Sequence, residues 1–473
     1  MSAPSHPDNS MEAAAPSAGS SVRRRLVRGF GASAMGPVVT ALVQLVSVPV
    51  FLRFWGAHLY GEWMVLSAIP IYLSLSDMGF GSVAGNDMTM RVARGDRAGA
   101  LESFQSTWVL ITLASMAVGF AVCAGVWWLP LNSWFHLSLL SGHEIGTVLV
   151  LLAIYALVAL QGTLILAGFR CDGNYAAGTL GGNLVRMTEW TAATMAVAME
   201  AKPVGVAATY LGVRLCGFVV LSLVMRRKSP WIRYGTEYAR ASAVRQLAAP
   251  AFAFMAFPAG NALSIQGMII VVGIVLGPIA VTAFSTLRTL TRFAFQVLGA
   301  INNAVWPELS VAFGAENLEF ARRLHRRACQ AALWLCFAAV GFLLVGGPRI
   351  YVAWTHGRVR LDLALFHWLL VVVIANSFWL TSSSVAIACN GHQRIALAYL
   401  VGTSASIAIA YLLLPRLGLS GAAIALLAVD AVMSWYVLRS SVRILKDSSA
   451  GLFKSVLTVP FEFTDRLRAN IGF

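Results

Sequence analysis

The sequence predicts an all-α polytopic membrane protein of twelve transmembrane helices, arranged as two parallel repeats of a six-helix bundle. Hydrophobic residues make up 58% of the 473 residues and charged residues only 12%, while positions in the second half repeat those of the first at a nearly fixed offset. The mean hydropathy is +0.74, a value that no soluble domain of this length tolerates on its surface.

Twelve segments are long and apolar enough to be membrane spans, because about 20 mostly apolar residues cross about 30 Å of hydrocarbon. They group into an N-terminal bundle at 30–228 and a C-terminal bundle at 248–440, joined by a basic linker at 229–247. The predicted spans lie near residues 30–52, 62–86, 101–129, 146–169, 177–199, 204–225, 248–276, 280–306, 328–347, 363–388, 395–414 and 419–438.

The repeat falls on residue types that an apolar helix does not need, namely proline, glycine and acids. Each bundle holds an even number of spans, so both have the same orientation and are related by an axis along the membrane normal. At an offset of 221 the matches are Pro37 with Pro258, Ala41 with Ala262, Leu42 with Leu263, Gly56 with Gly277 and Asp87 with the acidic Glu308. At an offset of 218 they are Cys171 with Cys389, Asp172 with Asn390 and Gly173 with Gly391.

Basic residues orient the bundles. Most of the 35 Lys and Arg fall on the side that holds the linker and both termini, and such a bias marks the cytoplasmic face. Both termini are therefore predicted to be cytoplasmic. The net charge of +15 is a topology signal that faces anionic lipid, so no nucleic-acid partner is expected.

The two ends differ in character. Residues 1–29 begin rich in Ser, Ala and Pro with no apolar stretch before the Arg cluster, which predicts a disordered cytoplasmic tail and no cleaved signal peptide. Residues 441–473 mix apolar side chains with Lys and Arg, which predicts a cytoplasmic or interfacial amphipathic segment.

The residue inventory argues against an enzyme. The sequence has no Gly-x-x-x-x-Gly-Lys-[Ser/Thr] phosphate loop, its eight His include no pair at metal-ligand spacing, and no predicted outward loop is long enough to carry a catalytic centre. We therefore expect no catalytic residue, no metal and no cofactor.

Arg288 and Arg292 are the sharpest candidate binding residues. They lie in the eighth predicted span at i and i+4, which puts both guanidinium groups on one helix face. A central Arg costs about 2.5 to 3.5 kcal/mol on insertion scales, so such residues usually face a cavity or a partner. Without an acid on the same face, the pair predicts a dianionic ligand such as a diphosphate, bound by bidentate hydrogen bonds. Pairing with acids of other helices is the alternative.

Further ionisable residues lie inside the predicted spans. Arg186 and Glu189 are three positions apart, which favours a structural ion pair. The alternative is that Arg186 binds substrate and Glu189 serves as an ion-coupling site. Arg214 has no local partner and is a weaker candidate for a binding cavity. Asp77 and Asp430 are lone acids in apolar surroundings, so each is either the partner of one of the arginines or a protonatable coupling site.

Pro37 and Pro258 occupy equivalent turns of the first and seventh spans. Each removes a helix hydrogen bond and kinks its span. The repeated pair predicts hinges for two lobes that move against each other.

Three motifs resemble the polysaccharide flippases of the multidrug, oligosaccharidyl-lipid and polysaccharide (MOP) exporter superfamily. One closes the first span at 52–61, with Arg53, Gly56 and Gly61 in a pattern similar to Arg-x-Leu-Gly-x-x-x-x-Gly, although Trp55 stands where Leu is usual. The second lies at 75–81 around Asp77, and the third, at 415–423, is similar to Pro-x-x-Gly-x-x-Gly-Ala-Ala.

The resemblance implies a MATE-like fold and a function. Such flippases move a lipid-linked sugar, typically an undecaprenyl diphosphate oligosaccharide, from the cytoplasmic to the outer leaflet of the bacterial inner membrane by alternating access. Their central cationic cavity maps onto Arg288 and Arg292, and more loosely onto Arg53. Implied partners are membrane lipids, the lipid-linked glycan, a polysaccharide polymerase and glycosyltransferases.

Three other classes stay open. A cation-coupled multidrug antiporter of the same superfamily is the main alternative, although span one carries no Asp or Glu for coupling. A major facilitator shares the six-plus-six count, but its loop motif is only hinted at by Asp96, Arg97 and Gly99. A scaffold role without transport is the third.

Overall fold

The computed structural model describes residues 18–73, 79–389, 391 and 393–458, and every regular element in them is helical. The helices are α1 (Ala18–Leu73), α2 (Phe80–Ala93), α3 (Arg97–Trp128), α4 (Leu131–Trp134), α5 (Gly142–Cys171), α6 (Tyr175–Ala198), α7 (Pro203–Lys228), α8 (Ala241–Ala262), α9 (Met268–Leu276), α10 (Pro278–Gly314), α11 (Leu318–Thr355), α12 (Leu363–Ala388), α13 (Gln393–Leu417), α14 (Leu419–Ile444) and α15 (Ser449–Leu457). A π-helical turn at Leu263–Gly267 joins α8 to α9.

Two glycines break the chain at equivalent places in the two halves. Gly56 interrupts α1 with φ 70° and ψ 176°, and Gly277, 221 positions later, separates α9 from α10 with φ 82° and ψ 178°. This backbone region is essentially restricted to glycine. The same rare conformation at matched positions is direct structural support for the duplication.

The helix starts repeat in the same way. Asp96 caps α3 by accepting from the backbone N–H of Gly99, and Asn317, 221 positions later, caps α11 through Phe320. Side-chain caps of this kind satisfy backbone donors that a helix start leaves unpaired. Each half therefore begins its third span at an equivalent cap.

Eight helical segments in the described part of the chain are long and apolar enough to cross a membrane by length and composition. The helices α1, α2, α6 and α10, which also hold predicted spans, are not among them; α6 and α10 carry the ionisable side chains discussed below. The eight segments are Arg97–Val126, Gly142–Cys171, Pro203–Lys228, Met255–Leu276, Leu318–Thr355, Leu363–Ala388, Gln393–Leu417 and Leu419–Ile444.

The N-terminal tail differs from expectation. The predicted disordered tail extends to residue 29, whereas α1 begins at Ala18. No proline lies between Ala18 and Pro37 to stop the helix, and its Arg and Leu are good helix formers. Residues 18–29 thus continue the first span as helix, and residues 1–17 lie outside the described part of the chain.

The two halves meet closely at the end of the bundle that the charge bias predicts to be the outer face. A Cβ placed on Gly61 would lie 2.0 Å from the carbonyl oxygen of Pro278, so only glycine permits this approach. Beside it, the Thr282 hydroxyl donates to the carbonyl of Ala57 at 2.7 Å. At the same end, Arg358 at the close of the ninth span donates to the carbonyl of Leu52 at 3.1 Å.

Candidate functional site: a cavity in the C-terminal half

A cavity of about 760 Å³ lies among the helices of the C-terminal half. Its walls come from α8, the π-helical turn, α10, α12, α13 and α14, with one residue from α2. The lining residues are Asn86, Phe257, Pro258, Asn261, Ser264, Ile265, Arg288, Thr291, Arg292, Phe295, Trp306, Leu369, Val372, Val373, Asn376, Trp379, Leu380, Ile387, Tyr399, Thr403, Leu426, Val429 and Asp430.

Arg288 reaches this cavity from α10 and is held by the π-helical turn. Its two terminal nitrogens donate to the backbone carbonyl of Ser264 at 2.7 Å and to the Ser264 hydroxyl at 3.0 Å. Its guanidinium also lies 5.6 Å from the ring centroid of Phe284. π-Helical turns are frequent at functional sites. Here the turn fixes the direction of a cation that faces the cavity.

Arg292 lies one turn further along the same face and lines the same cavity. It is partly buried. Among the residues that the structure describes, no hydrogen bond or salt bridge involves its side chain. Arg292 is therefore a cation that the described protein leaves available to a ligand.

Asp430 is the acid of this cavity, and its oxygen Oδ1 is held by two neutral donors. The amide of Asn376 donates to it at 2.9 Å and the indole N–H of Trp379 at 2.8 Å. Within the described part of the chain, no arginine nitrogen lies within 4.0 Å of this carboxylate. The two arginines and Asp430 thus share a cavity without forming a closed ion pair.

The sequence did not single out three of these polar residues. Ser264, Asn376 and Trp379 are the groups that hold Arg288 and Asp430. The available signal was an amide inside an otherwise apolar span, as for Asn376. The partnership itself depends on helix packing and could not be found from spacing.

The N-terminal half contains an ion pair different from the predicted one. Glu189 is buried and pairs with Arg214, whose Nη2 donates to Oε2 at 2.7 Å. The hydroxyl of Tyr155 also approaches that oxygen at 3.2 Å. The predicted Arg186–Glu189 pair is wrong because Arg186 lies on an exposed face of α6, whereas α6 and α7 pack together and bring Arg214 to the acid. Arg214 is accordingly not a free cavity cation.

The other predicted residues are dispersed. Arg53 is exposed, with its guanidinium 5.7 Å from the ring centroid of Phe54, and it does not line the cavity. Pro258 does line the cavity, while the side chain of Pro37 and the whole of Asp77 lie outside the described residues. The hinge roles of the two prolines stay predictions.

Comparison with solved structures shows the fold. The chain is similar to an inward-facing multidrug resistance MATE family transporter of the MOP superfamily, with a TM-score of 0.70 and 13% identity over 86% of this chain and 96% of that one. An outward-facing MATE family transporter of the MOP superfamily matches with a TM-score of 0.62 and 14% identity, over 91% of this chain and 96% of the other. A Vibrio cholerae MATE transporter matches with a TM-score of 0.60 and 17% identity, over 91% and 98%.

The predicted fold class is confirmed by these matches: the protein is a multi-pass, all-helical membrane protein with the twelve-helix, two-repeat MATE-like architecture. No family model matches the sequence, and no curated protein matches it. The identities to the solved structures are low, so the likeness extends to the fold alone.

Proposed function

We propose that this protein is a transporter that flips a polyprenyl-diphosphate-linked oligosaccharide from the cytoplasmic to the outer leaflet of the bacterial inner membrane. The observation that carries the proposal is the pair Arg288 and Arg292, one helical turn apart on one wall of a cavity of about 760 Å³. Arg292 has no described partner and Arg288 bonds only to Ser264, so among the described residues no carboxylate neutralises either guanidinium. The MATE-like fold supports alternating access as the mechanism.

A diphosphate suits this pair chemically. Two guanidinium groups on one helix face repel each other, and a dianion that bridges them removes the repulsion while accepting bidentate hydrogen bonds. Arg288 is already aimed by Ser264, whereas Arg292 is free to adjust. The two would bind adjacent phosphates of one head group.

The remaining lining suits a sugar better than an apolar drug. Asn261, Asn376 and Asn86 supply amide donors and acceptors, and Trp306 and Trp379 supply flat apolar faces. A polar head group crosses the membrane only if the protein replaces its lost water contacts. The polyprenyl chain needs no such path, because it is soluble in the surrounding lipid.

The closed end of the bundle fits the proposed direction of transport. The halves are in contact at Gly61 and Pro278, on the predicted outer face. The cavity extends instead to Asn86, Trp306 and Ile387, near the predicted cytoplasmic ends of their spans. With both termini in the cytoplasm, as the sequence predicts, this arrangement would be an inward-facing state, ready to receive substrate made there by glycosyltransferases and to pass it to a polymerase outside.

A cation-coupled multidrug antiporter is the second candidate. It is favoured by the names of the similar structures, which are multidrug resistance transporters, and by Asp430, a buried carboxylate beside the cavity that could carry a proton or a cation. Two cationic side chains against one acid disfavour a cationic drug in the same cavity. The charge of the transported substrate, anionic for the flippase and cationic for the antiporter, therefore distinguishes the two functions.

The decisive experiment is reconstitution into liposomes with an undecaprenyl-diphosphate oligosaccharide in one leaflet. We expect flipping by the wild type, loss of flipping in R288A and R292A, and partial activity in R292K, because Lys keeps the charge and loses the bidentate fork. R323A is the matched control, since Arg323 is an exposed arginine paired with Glu319 at 2.9 Å. Unchanged flipping by the R288A/R292A double variant would refute the proposal, and efflux of a cationic dye without glycan flipping would favour the antiporter.

A further inference from the structure

A second basic site lies outside the central cavity, between the predicted cytoplasmic ends of α13 and α14. It is a groove of about 740 Å³. Arg394 comes from the first turn of α13, and Arg439 and Arg443 come from the last turns of α14. All three side chains are exposed. We call this groove the basic groove.

The basic groove concentrates positive charge without a counter-charge. Among the described residues, no carboxylate lines it and no salt bridge involves its three arginines. Arg439 and Arg443 are four positions apart on one face of α14, so their guanidinium groups are neighbours. The backbone N–H groups at the start of α13 add a further preference for an anion.

Apolar side chains continue the basic groove toward the membrane interior. On α13, Leu397 and Val401 share the face of Arg394 and are 58% and 61% exposed. On α14, Val432 and Trp435 share the face of Arg439 and are 63% and 62% exposed. On each of these two helices, the exposed face therefore carries arginine at its predicted cytoplasmic end and apolar side chains beyond it.

Trp435 marks the boundary between these two regions. The guanidinium of Arg439 lies 5.5 Å from its ring centroid, which holds the cation above an aromatic ring. Trp is the residue type enriched at the level of lipid head groups. The groove thus matches the polarity of a lipid molecule that has an anionic group at one end and hydrocarbon at the other.

The geometry points to the basic groove as a binding site for one anionic glycerophospholipid of the cytoplasmic leaflet. Arg394, Arg439 and Arg443 bind the phosphate and head group, and Leu397, Val401 and Val432 contact the acyl chains. Basic pockets between membrane helices on this side are suited to such head groups. At the offset of 218 that relates the preceding turns of the two halves, the position equivalent to Arg394 is Ala176, so the N-terminal half lacks this cation.

Native mass spectrometry of the full-length protein in mild detergent tests the proposal, with phosphatidylglycerol as the probe and phosphatidylcholine as the zwitterionic comparison. We expect one tightly held phosphatidylglycerol that R394A/R439A/R443A binds about 100-fold more weakly, if each cation contributes about 1 kcal/mol. The matched control is R226A/R227A/K228A, which removes three exposed charges from the end of α7 and should keep the bound lipid.

Three outcomes would overturn the proposal. Equal weakening in both triple variants would show diffuse attraction by surface charge, and binding unchanged in the groove variant would place the lipid elsewhere. Displacement of the lipid by sn-glycerol 3-phosphate as effectively as by phosphatidylglycerol would show that the acyl contacts are not used. Should the groove triple variant not fold, R443Q against R227Q gives the same comparison with an expected loss of about fivefold.

Discussion

Nε of Arg214 lies 2.6 Å from Oε1 of Glu189, and the acid is only 1% exposed. The two residues come from α6 and α7, so the pair joins neighbouring helices of the N-terminal half. Tyr155 of α5 completes the cluster, because its hydroxyl donates to the other carboxylate oxygen of Glu189, Oε2, at 3.2 Å. Three helices are therefore fixed by one buried acid.

Breaking this pair should destabilise the protein. E189A leaves the Arg214 charge without its partner, which in a buried pair costs about 3 kcal/mol, whereas replacing both residues by Leu should cost much less. Thermal unfolding in detergent measures the difference. The control is E319A, which breaks the exposed Arg323–Glu319 pair and should cost no more than about 1 kcal/mol. Equal shifts for E189A and E319A would contradict the structural role.

Substitutions of the two cavity arginines should differ in their effect on stability, although both residues are proposed to bind the substrate. R288A removes two hydrogen bonds to Ser264 and should lower stability by about 1 to 3 kcal/mol. R292A removes no described bond and should leave the melting temperature near that of the wild type. Melting curves measured beside the flipping assay check this. A large loss of stability in R292A would mean that Arg292 has a structural partner.

Asp430 should tolerate Asn and not Ala. D430N keeps the acceptor oxygen for Asn376 and Trp379. D430A removes it, and the buried indole N–H of Trp379 is then left unsatisfied at a cost of about 1 to 3 kcal/mol. We therefore expect D430N to fold like the wild type and D430A to melt earlier. Flux measured in D430N under an imposed proton or Na+ gradient then reports coupling: if Asp430 carries the ion, the gradient no longer changes the rate.

The sequence could predict the fold and one wall of the site. Hydropathy marks the spans, the repeated glycines Gly56 and Gly277 reveal the duplication, and the spacing of Arg288 and Arg292 places both on one helix face. The sequence could not supply contacts between helices. Two arginines could pair with Glu189 on the evidence of sequence: Arg186 on the same helix and Arg214 on the next. Only the packing of α6 on α7 shows that the partner is Arg214. Likewise, the π-helical turn that carries Ser264 has no recognisable local pattern.

Gly61 should control closure of the predicted outer face. In G61A the new methyl would overlap the carbonyl of Pro278, and such overpacking costs about 1 to 3 kcal/mol, so the halves should separate there. V281C, at a fully buried position in the first turn of α10, one turn from Pro278, should then become reactive to an impermeant maleimide in a background without the six native cysteines. The control is G162A, where an added Cβ meets nothing within 4 Å. Equal labelling of V281C in the G61A and G162A variants would contradict the role of Gly61 in closing the outer face.

The C-terminal helix α15 should stay docked over the physiological pH range because of Asp447. Arg326 donates through Nε to Asp447 Oδ2 at 2.9 Å, and although burial acts in the opposite direction, this bond and that from the Ser448 N–H lower the pKa of Asp447 below its ordinary value. A depressed pKa means that the stabilisation is complete above the pKa of the unfolded chain and is lost only as pH falls through the lower folded value. The backbone amides of residues 449–457 should therefore be equally protected from hydrogen exchange at pH 8 and pH 6, once the intrinsic pH dependence of exchange is corrected for. D447N should lower their free energy of protection by about 2 kcal/mol at both pH values. Release of α15 in the wild type between those two pH values would show that another group controls its docking.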